Sequence, residues 1–212
     1  MSIWGQWPFG EMPMFGFDLI MIDPPWLFET WTDEGKDKSP EAHYDCLPTD
    51  VICQLPVGQL GAKDAVFWLW ATHPMHRDGF RCFDSWGVRY VTGGTWVKRT
   101  AHGKLGFGTG YRLRCASEPF LIGTNGSPET ARNVRTVIEG RVREHSRKPD
   151  EAYAAAEQLM EKRPGHRFAD IFSREQRPGW TTWGNEDTKF TDGRSARRKS
   201  KPVLDDPQVP LI

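Results

Sequence analysis

The sequence lacks a net charge, because 28 lysines and arginines are balanced by 28 aspartates and glutamates. A general attraction to nucleic-acid phosphate is therefore excluded, and any such contact must come from local basic patches. Cysteine is scarce, and the four residues have no spacing typical of a metal site: Cys46, Cys53, Cys82 and Cys115. We therefore predict that the cysteines are reduced thiols and that the protein is cytoplasmic.

Membrane and metal signals are also missing. No segment has the length of a membrane span or the pattern of a secretory signal peptide, so we expect no membrane association. His73 and His76 flank Pro74-Met75, but no third or fourth ligand lies nearby in the sequence, and we predict no metal site. With 212 residues, the chain is long enough for one well-buried domain.

The apolar pattern predicts an α/β protein. Apolar runs of strand length, interrupted only by Asp18, occupy residues 17–22 and 65–71, as in the buried strands of a central sheet. Further strands are predicted at 92–98, 119–123, 167–172 and 180–183. Helices are predicted over 74–86, with Gly87 as the stop, and over 149–162. The second helix has one apolar face, which we interpret as core only: Ala152, Tyr153, Ala156, Leu159 and Met160.

The tetrapeptide Asp23-Pro24-Pro25-Trp26 follows the first apolar run, and α/β enzymes keep catalytic residues at such strand ends. The prolines donate no N–H group, so the loop presents carbonyl oxygens and the Asp23 carboxylate. These acceptors could hold both hydrogens of an adenine N6 amine while its ring lies against Trp26. The nitrogen lone pair could then attack an electrophilic methyl group. The alternative is a strand-end turn with Trp26 packed in the core.

This tetrapeptide and several other segments resemble the mRNA N6-adenosine methyltransferase (METTL-type) family and its bacterial and phage relatives. The segments that carry the resemblance are 17–26, Tyr44, 66–70, 96–98, 118–123, 148–151 and 180–186. The resemblance implies transfer of a methyl group from S-adenosylmethionine to adenine N6 in DNA or RNA. It also implies a Rossmann-like α/β fold with a mostly parallel central sheet flanked by helices, in which the catalytic motif precedes the cofactor motif.

The resemblance further assigns roles to individual residues. The catalytic set would be Asp23, Pro24, Pro25 and Trp26. Asp23 would also contact the cofactor, whose other contacts would be Lys148, Arg174, Asn185 and Glu186. Lys148, at the start of a helix, would hold the methionine carboxylate, and Glu186 would accept the ribose hydroxyls. The target pocket would be shaped by Tyr44, Lys98 and Glu118.

Two features depart from the family pattern. Residues 175–177 are Glu-Gln-Arg where relatives often have a His-Asn pair, and no acid before the catalytic strand matches the one that often holds the cofactor adenine. A Gly-rich turn is missing after 168–172, although S-adenosylmethionine has no phosphate that would require one. Two other functions stay open: a catalytically inactive nucleic-acid-binding subunit, and an amino methyltransferase with another substrate, such as cytosine N4 or a protein amide.

The remaining segments are predicted as loops and tails. Residues 27–48 form a long loop, which we interpret as a lid over the base pocket. Residues 101–114 are Gly-rich and basic, and Arg112 and Arg114 near Phe107 suit phosphates and unstacked bases. We predict one domain over 1–187 and a basic, disordered tail over 188–212. N-terminal aromatic residues are expected to pack on the domain: Trp4, Trp7, Phe9 and Phe15. A homo- or heterodimer is left open.

Overall fold

The computed structural model describes residues 6–27, 46–110, 112–144, 147–161 and 164–190. Its seven strands form one sheet in the order β5-β3-β4-β2-β1-β6-β7. The strands are β1 (Phe17–Ile22), β2 (Gly61–Trp70), β3 (Arg89–Arg99), β4 (Ser117–Asn125), β5 (Val137–Arg141), β6 (Phe168–Ile171) and β7 (Trp180–Trp183). In the described chain β4 is antiparallel to both its neighbours, and the other pairings are parallel. The predicted α/β class with a mostly parallel sheet is confirmed.

Within the described ranges three α-helices accompany the sheet, namely α1 (Thr49–Gln54), α2 (His76–Trp86) and α3 (Asp150–Leu159). A 3₁₀ turn over His73–Met75 leads into α2, so the α-helix begins two residues later than predicted. It ends at Gly87, whose φ of 69° is a left-handed conformation that glycine adopts at little cost. Helix α1 was not predicted from the sequence, because it is less than two turns long.

The core lies on both faces of the sheet because alternate residues of a strand point to opposite sides. Ile20 and Ile22 of β1 belong to the cluster that includes residues of α1 and α2. Leu19 and Met21 belong to the other cluster, which includes the buried face of α3. All four β1 side chains are fully buried. This explains why β1 is apolar apart from Asp18 and why its bounds could be predicted correctly.

Strand β5 was not predicted. Its exposed positions, Val137, Glu139 and Arg141, alternate with Ile138 and Gly140, which are buried. The alternation is a strand signal, but it spans five residues and includes a glycine, which weakens a strand in isolation. Parallel pairing with β3, from Thr95↔Val137 to Arg99↔Arg141, holds it in place.

The N-terminal aromatic residues pack on the domain only in part. Phe9 is 1% exposed and contacts Trp7 and Trp183 edge-on, with ring centroids 5.1 and 5.0 Å apart. Phe15 is 61% exposed, so the prediction that it packs on the domain was wrong. Trp4 lies outside the described residues.

Candidate active site

Four charged side chains meet at the edge of the sheet where β1 ends. Asp23 directly follows β1, and Lys98 is near the carboxyl end of β3. Since β4 runs in the opposite direction, Glu118 near its amino end lies at this same edge. Lys148 comes two residues before α3. The sheet order therefore gathers residues that are far apart in the sequence.

The four charges alternate in sign along a chain of contacts. Lys98 Nζ lies 2.7 Å from Glu118 Oε2, and Glu118 Oε1 lies 3.1 Å from Lys148 Nζ. Lys148 Nζ in turn donates to Asp23 Oδ2 at 2.6 Å. The Lys148 side chain is only 6% exposed, and its ammonium lies 5.4 Å from the centre of the Trp70 ring, a cation–π distance. We call these four residues the charge chain.

Burial and charge pull the pKa values of the charge chain in opposite directions. Burial disfavours ionised Glu118, but Lys148 and Lys98 outweigh it and lower the Glu118 pKa to about 2. Burial also disfavours the Lys148 ammonium, and Asp23 and Glu118 outweigh it and raise the Lys148 pKa. For Asp23 burial is the larger effect, so its pKa is raised although Lys148 opposes the rise. Lys148 is thus held as a cation between two acids.

The prolines of the Asp23 loop are less exposed than their chemistry suggested. Pro24 is buried, and its carbonyl accepts the N–H of Trp26 at 2.9 Å. The Pro25 carbonyl accepts the N–H of Leu47 at 2.8 Å. A carbonyl oxygen has two lone pairs, so each can still accept a second hydrogen bond. The bond between Pro25 and Leu47 joins the two ends of the 27–48 loop, whose residues 28–45, with the predicted lid, lie outside the described residues.

Trp26 packs in the core. Its indole is 4% exposed, and its N–H donates to the Trp70 carbonyl at 3.0 Å. This position favours a supporting role for Trp26, as in the alternative interpretation of the motif, over contact between its ring face and a base. The stacking role stays a prediction.

A small cavity beside Asp23 contains residues that the sequence analysis missed. Its lining includes Asp170 of β6, Tyr153 of α3, Arg147 and Phe190, together with Arg174, which was predicted to contact the cofactor. The Tyr153 hydroxyl donates to Asp170 Oδ2 at 2.9 Å, so Tyr153 belongs to the site as well as to the core. One signal could have found Asp170: it is an acid inside an apolar strand that runs parallel to β1, paired with Met21.

Asp170 is buried and has an unusual pKa. Burial raises the pKa of its carboxyl from 3.8 to about 7, with a smaller contribution from the negative charge of Asp23. Hydrogen bonds from Ser173 and Tyr153 oppose the rise. The Tyr153 hydroxyl has its own pKa raised well above 10 by burial and by Asp170. Asp170 therefore titrates near neutral pH, where small changes in its surroundings decide its charge.

Asp170→Asn is expected to gain stability relative to the parent protein as the pH rises from about 4 to about 7. A raised folded-state pKa contributes stability that is complete below the unfolded pKa and is lost as the pH rises through the folded value. Asparagine does not titrate, so the variant avoids this loss. Urea unfolding at one-unit pH intervals measures the difference. An Asp84→Asn control on the exposed side of α2 should show no such trend, and a pH-independent difference for Asp170→Asn would contradict the assignment.

The residues predicted to hold the ribose and adenine of the cofactor lie near the cavity. Arg174 Nε is 3.8 Å from Glu186 Oε2, and Lys189 Nζ is 2.8 Å from Glu186 Oε1. Asn185 is exposed next to them. The Phe190 N–H donates to the Arg174 carbonyl at 3.0 Å, so the ordered domain extends at least three residues beyond the predicted boundary at 187. Residues 191–212 lie outside the described part of the chain.

The predicted substrate-binding residues fall into three groups. Lys98 and Glu118 belong to the charge chain. Arg112 and Arg114 are exposed on the long connection between β3 and β4. Isolated β-bridges in this connection join Arg99 to Leu105 and Gly108 to Cys115. The Arg114 guanidinium lies 5.4 Å from the ring centre of Phe107, which is 80% exposed. Tyr44 lies outside the described residues.

Within the described residues no three side chains of His, Cys, Asp or Glu are grouped so that they could hold a metal ion. No helix in the same part of the chain is long and apolar enough to cross a membrane.

The sheet, with polar residues gathered at the carboxyl ends of β1 and β6, defines a Rossmann-like domain of the S-adenosylmethionine-dependent methyltransferase class. The chain belongs to the MT-A70 family, whose model matches residues 17–186. This confirms the resemblance seen in the sequence.

Three relatives illustrate the similarity. The chain is 35% identical over 175 residues to a putative N(6)-adenosine-methyltransferase MT-A70-like protein of Medicago truncatula, covering 80% of this chain and 26% of the relative. It is 31% identical over 176 residues to the human N(6)-adenosine-methyltransferase catalytic subunit METTL3, covering 80% and 28%. It is 27% identical over 190 residues to the human N(6)-adenine-specific methyltransferase METTL4, covering 82% and 38%. The chain thus spans well under half the length of these relatives.

Proposed function

We propose that this domain transfers a methyl group from S-adenosylmethionine to the N6 amine of adenine in DNA or RNA. One observation carries the proposal. The Asp23 carboxyl stands at the end of a central strand, bound by Lys148 at 2.6 Å, and lies beside a polar cavity. The names of the relatives, which are N6-adenosine and N6-adenine methyltransferases, support the same reaction.

Asp23 would act as a hydrogen-bond acceptor for the target amine. Its Oδ2 is bound by Lys148, which leaves Oδ1 for one amine hydrogen. The second lone pair of the Pro24 carbonyl is placed on the same loop for the other hydrogen. Two such bonds weaken the conjugation of the nitrogen lone pair with the ring and favour the transition state without a strong base. Lys148 and Glu118 hold the acceptor in position.

The residues around the cavity suit the chemistry of S-adenosylmethionine. When bound, the cofactor supplies a methyl group attached to a positively charged sulfonium. Asp23 and Asp170 are acids that would face positive groups, while Glu186 and Arg174 can hydrogen-bond ribose hydroxyls. Phe190 adds an aromatic surface to the lining. Lys148 would hold the methionine carboxylate through an N–H not used by Asp23 or Glu118.

The proposal is tested by looking for the product. Long-read sequencing of host DNA with and without the expressed protein, together with nucleoside analysis of host RNA, would detect N6-methyladenine in either polymer. Cells that express Asp23→Ala provide the control. The absence of N6-methyladenine from DNA and RNA, both in cells and after incubation with the purified protein and S-adenosylmethionine, would contradict the proposal.

We propose that the long connection between β3 and β4 forms the surface that binds the nucleic acid. Residues 100–117 contain no acidic residue. Lys104, Arg112 and Arg114 therefore make this segment positively charged, although the net charge of the whole chain is zero. Phe107 offers an exposed aromatic face for an unstacked base. A homo- or heterodimer is also proposed, and sedimentation of the purified protein with and without nucleic acid would test it.

Neutralising Arg112 and Arg114 together, as Arg→Gln, is expected to raise the KM for nucleic acid and to flatten its salt dependence, because fewer phosphates are neutralised. Cofactor affinity should not change.

Single-stranded or mismatched targets should be methylated at least as well as perfect duplex, since the base must leave its stack to reach Asp23. Steady-state rates at two salt concentrations measure both effects. Arg132→Gln, on the other side of β4 in the sequence, is the matched control. A strong preference for duplex, or an unchanged salt slope, would show that this surface is wrongly placed.

A further inference from the structure

Asp170 has surroundings that the proposed reaction does not explain. It is 2% exposed and lines the same cavity as Asp23. Within the described chain the Tyr153 hydroxyl donates to Asp170 at 2.9 Å, and Ser173, whose hydroxyl donates to the Glu175 carbonyl at 2.8 Å, is its other hydrogen-bonding neighbour. Both side chains are neutral. By contrast, Glu118, a partly buried acid of the site, is bound by two lysines. A buried carboxylate without a paired cation is costly.

The arginines around Asp170 are engaged with other acids. Arg177, which influences Asp170 only at longer range, binds Asp150 at 2.7 Å and Glu175 at 3.3 Å. Arg147 binds Glu175 at 2.7 Å. Arg174, which also lines the cavity, is paired with Glu186 at 3.8 Å. Asp23 also faces the cavity, and its negative charge acts on Asp170 more strongly than the positive charge of Arg177 does. The hydrogen bonds that Asp170 accepts come from neutral side chains, so a cation that binds it directly is best supplied by a ligand.

We propose that Asp170 discriminates a cationic cofactor from a neutral product by exchanging a proton. Its carboxyl is protonated in the ligand-free protein and in complex with a neutral ligand. It releases that proton to solvent when a ligand with a net positive charge occupies the cavity. This inference rests on the proposed function, because S-adenosylmethionine carries a net charge of +1 and its thioether product, S-adenosylhomocysteine, carries none.

The consequence is a built-in preference for cofactor over product. An ionised Asp170 attracts the sulfonium, a positive charge that the thioether lacks, whereas the ammonium group is common to both ligands. Loss of the methyl group therefore removes one of the positive charges that favour an ionised Asp170. The carboxyl then regains a proton, and the bound product loses that attraction. Asp170 acts here as a positioning residue that responds to charge, distinct from the acceptor role proposed for Asp23. Tyr153, which donates to the carboxylate, would stabilise the ionised form.

Calorimetry of the two ligands tests the inference without measuring methyl transfer. Titrations in two buffers with different ionisation enthalpies give the number of protons released. At about pH 5.5, where the amino groups of both ligands stay protonated, S-adenosylmethionine should release close to one proton and S-adenosylhomocysteine close to none. Between about pH 5.5 and 7 the affinity for the cation should rise about tenfold, while that for the thioether stays level.

Variants locate the proton. Asp170→Asn should abolish the extra proton release and lower the preference for the cation about tenfold or more at pH 7. Tyr153→Phe should keep the release but move its midpoint to higher pH, and Asp84→Asn should behave like the parent. Equal proton release for both ligands, or release that persists in Asp170→Asn, overturns this inference alone. If Asp170→Asn does not fold, the two-ligand comparison on the parent still decides. Failure of the parent to bind either ligand overturns the proposed function as well.

Discussion

Asp23→Ala is expected to lower the rate of methyl transfer by a factor of roughly 10² or more, as when a hydrogen-bonding group that acts in the transition state is removed. The structure indicates why the variant should still fold. Lys148 loses one of its two acids but keeps Glu118 at 3.1 Å, so no unpaired charge is left buried. Cofactor binding should persist, at least weakly, because most of the cavity lining is unchanged.

Methyl incorporation into an adenine-containing oligonucleotide at saturating cofactor provides the measurement. Asp23→Asn is the sharper variant, since it keeps the shape of the side chain but replaces an acidic acceptor with a neutral one. Asp84→Asn, on the exposed side of α2, controls for loss of a charge elsewhere. Activity of Asp23→Ala within a fewfold of the parent would refute the acceptor role, provided that circular dichroism shows an intact fold.

Lys148→Ala is expected to destabilise the protein by about 3–5 kcal/mol, because it leaves Asp23 and Glu118 close together without the cation between them. That loss is a large part of the total stability of a typical domain. Lys98 remains for Glu118, whereas Asp23 loses its partner in the charge chain. Urea unfolding at pH 7 gives the free energy of unfolding for the variant and the parent.

A variant that removes three of the four charges of the charge chain separates the loss of the cation from the loss of side-chain volume. Lys148→Met combined with Asp23→Asn and Glu118→Gln removes three charges of the chain at once and should recover at least half of the lost stability. If the triple variant is as unstable as Lys148→Met alone, packing, and not charge, explains the effect. On the folded Lys148→Ala protein, calorimetry should show cofactor binding weaker by about 1.5–3 kcal/mol. Unchanged affinity would show that Lys148 only holds the two acids.

The sequence by itself predicted the elements whose signals are local. The bounds of β1 and β7 were predicted correctly, because a short segment of apolar, aromatic or β-branched residues that ends at a turn needs no information from the rest of the chain. The buried face of α3 followed from its 3.6-residue period. The importance of Asp23 followed from its place after a buried strand and from two prolines that fix the loop. Family membership rested on these same segments.

The tertiary structure decided which side chains meet. Nothing local to Glu118 shows that it lies 3.1 Å from Lys148, thirty positions away, because that contact depends on β4 running against its neighbours. The same is true of Tyr153, which has a core position by periodicity and yet reaches Asp170 with its hydroxyl. For Trp26, the chemistry of the indole ring predicted contact with a base, whereas in the tertiary structure the side chain packs in the core. Periodicity determines which face of a helix or strand is buried. The order and direction of the strands determine which residues lie at the same edge of the sheet, and the grouping of charges at this site depends on that order and direction.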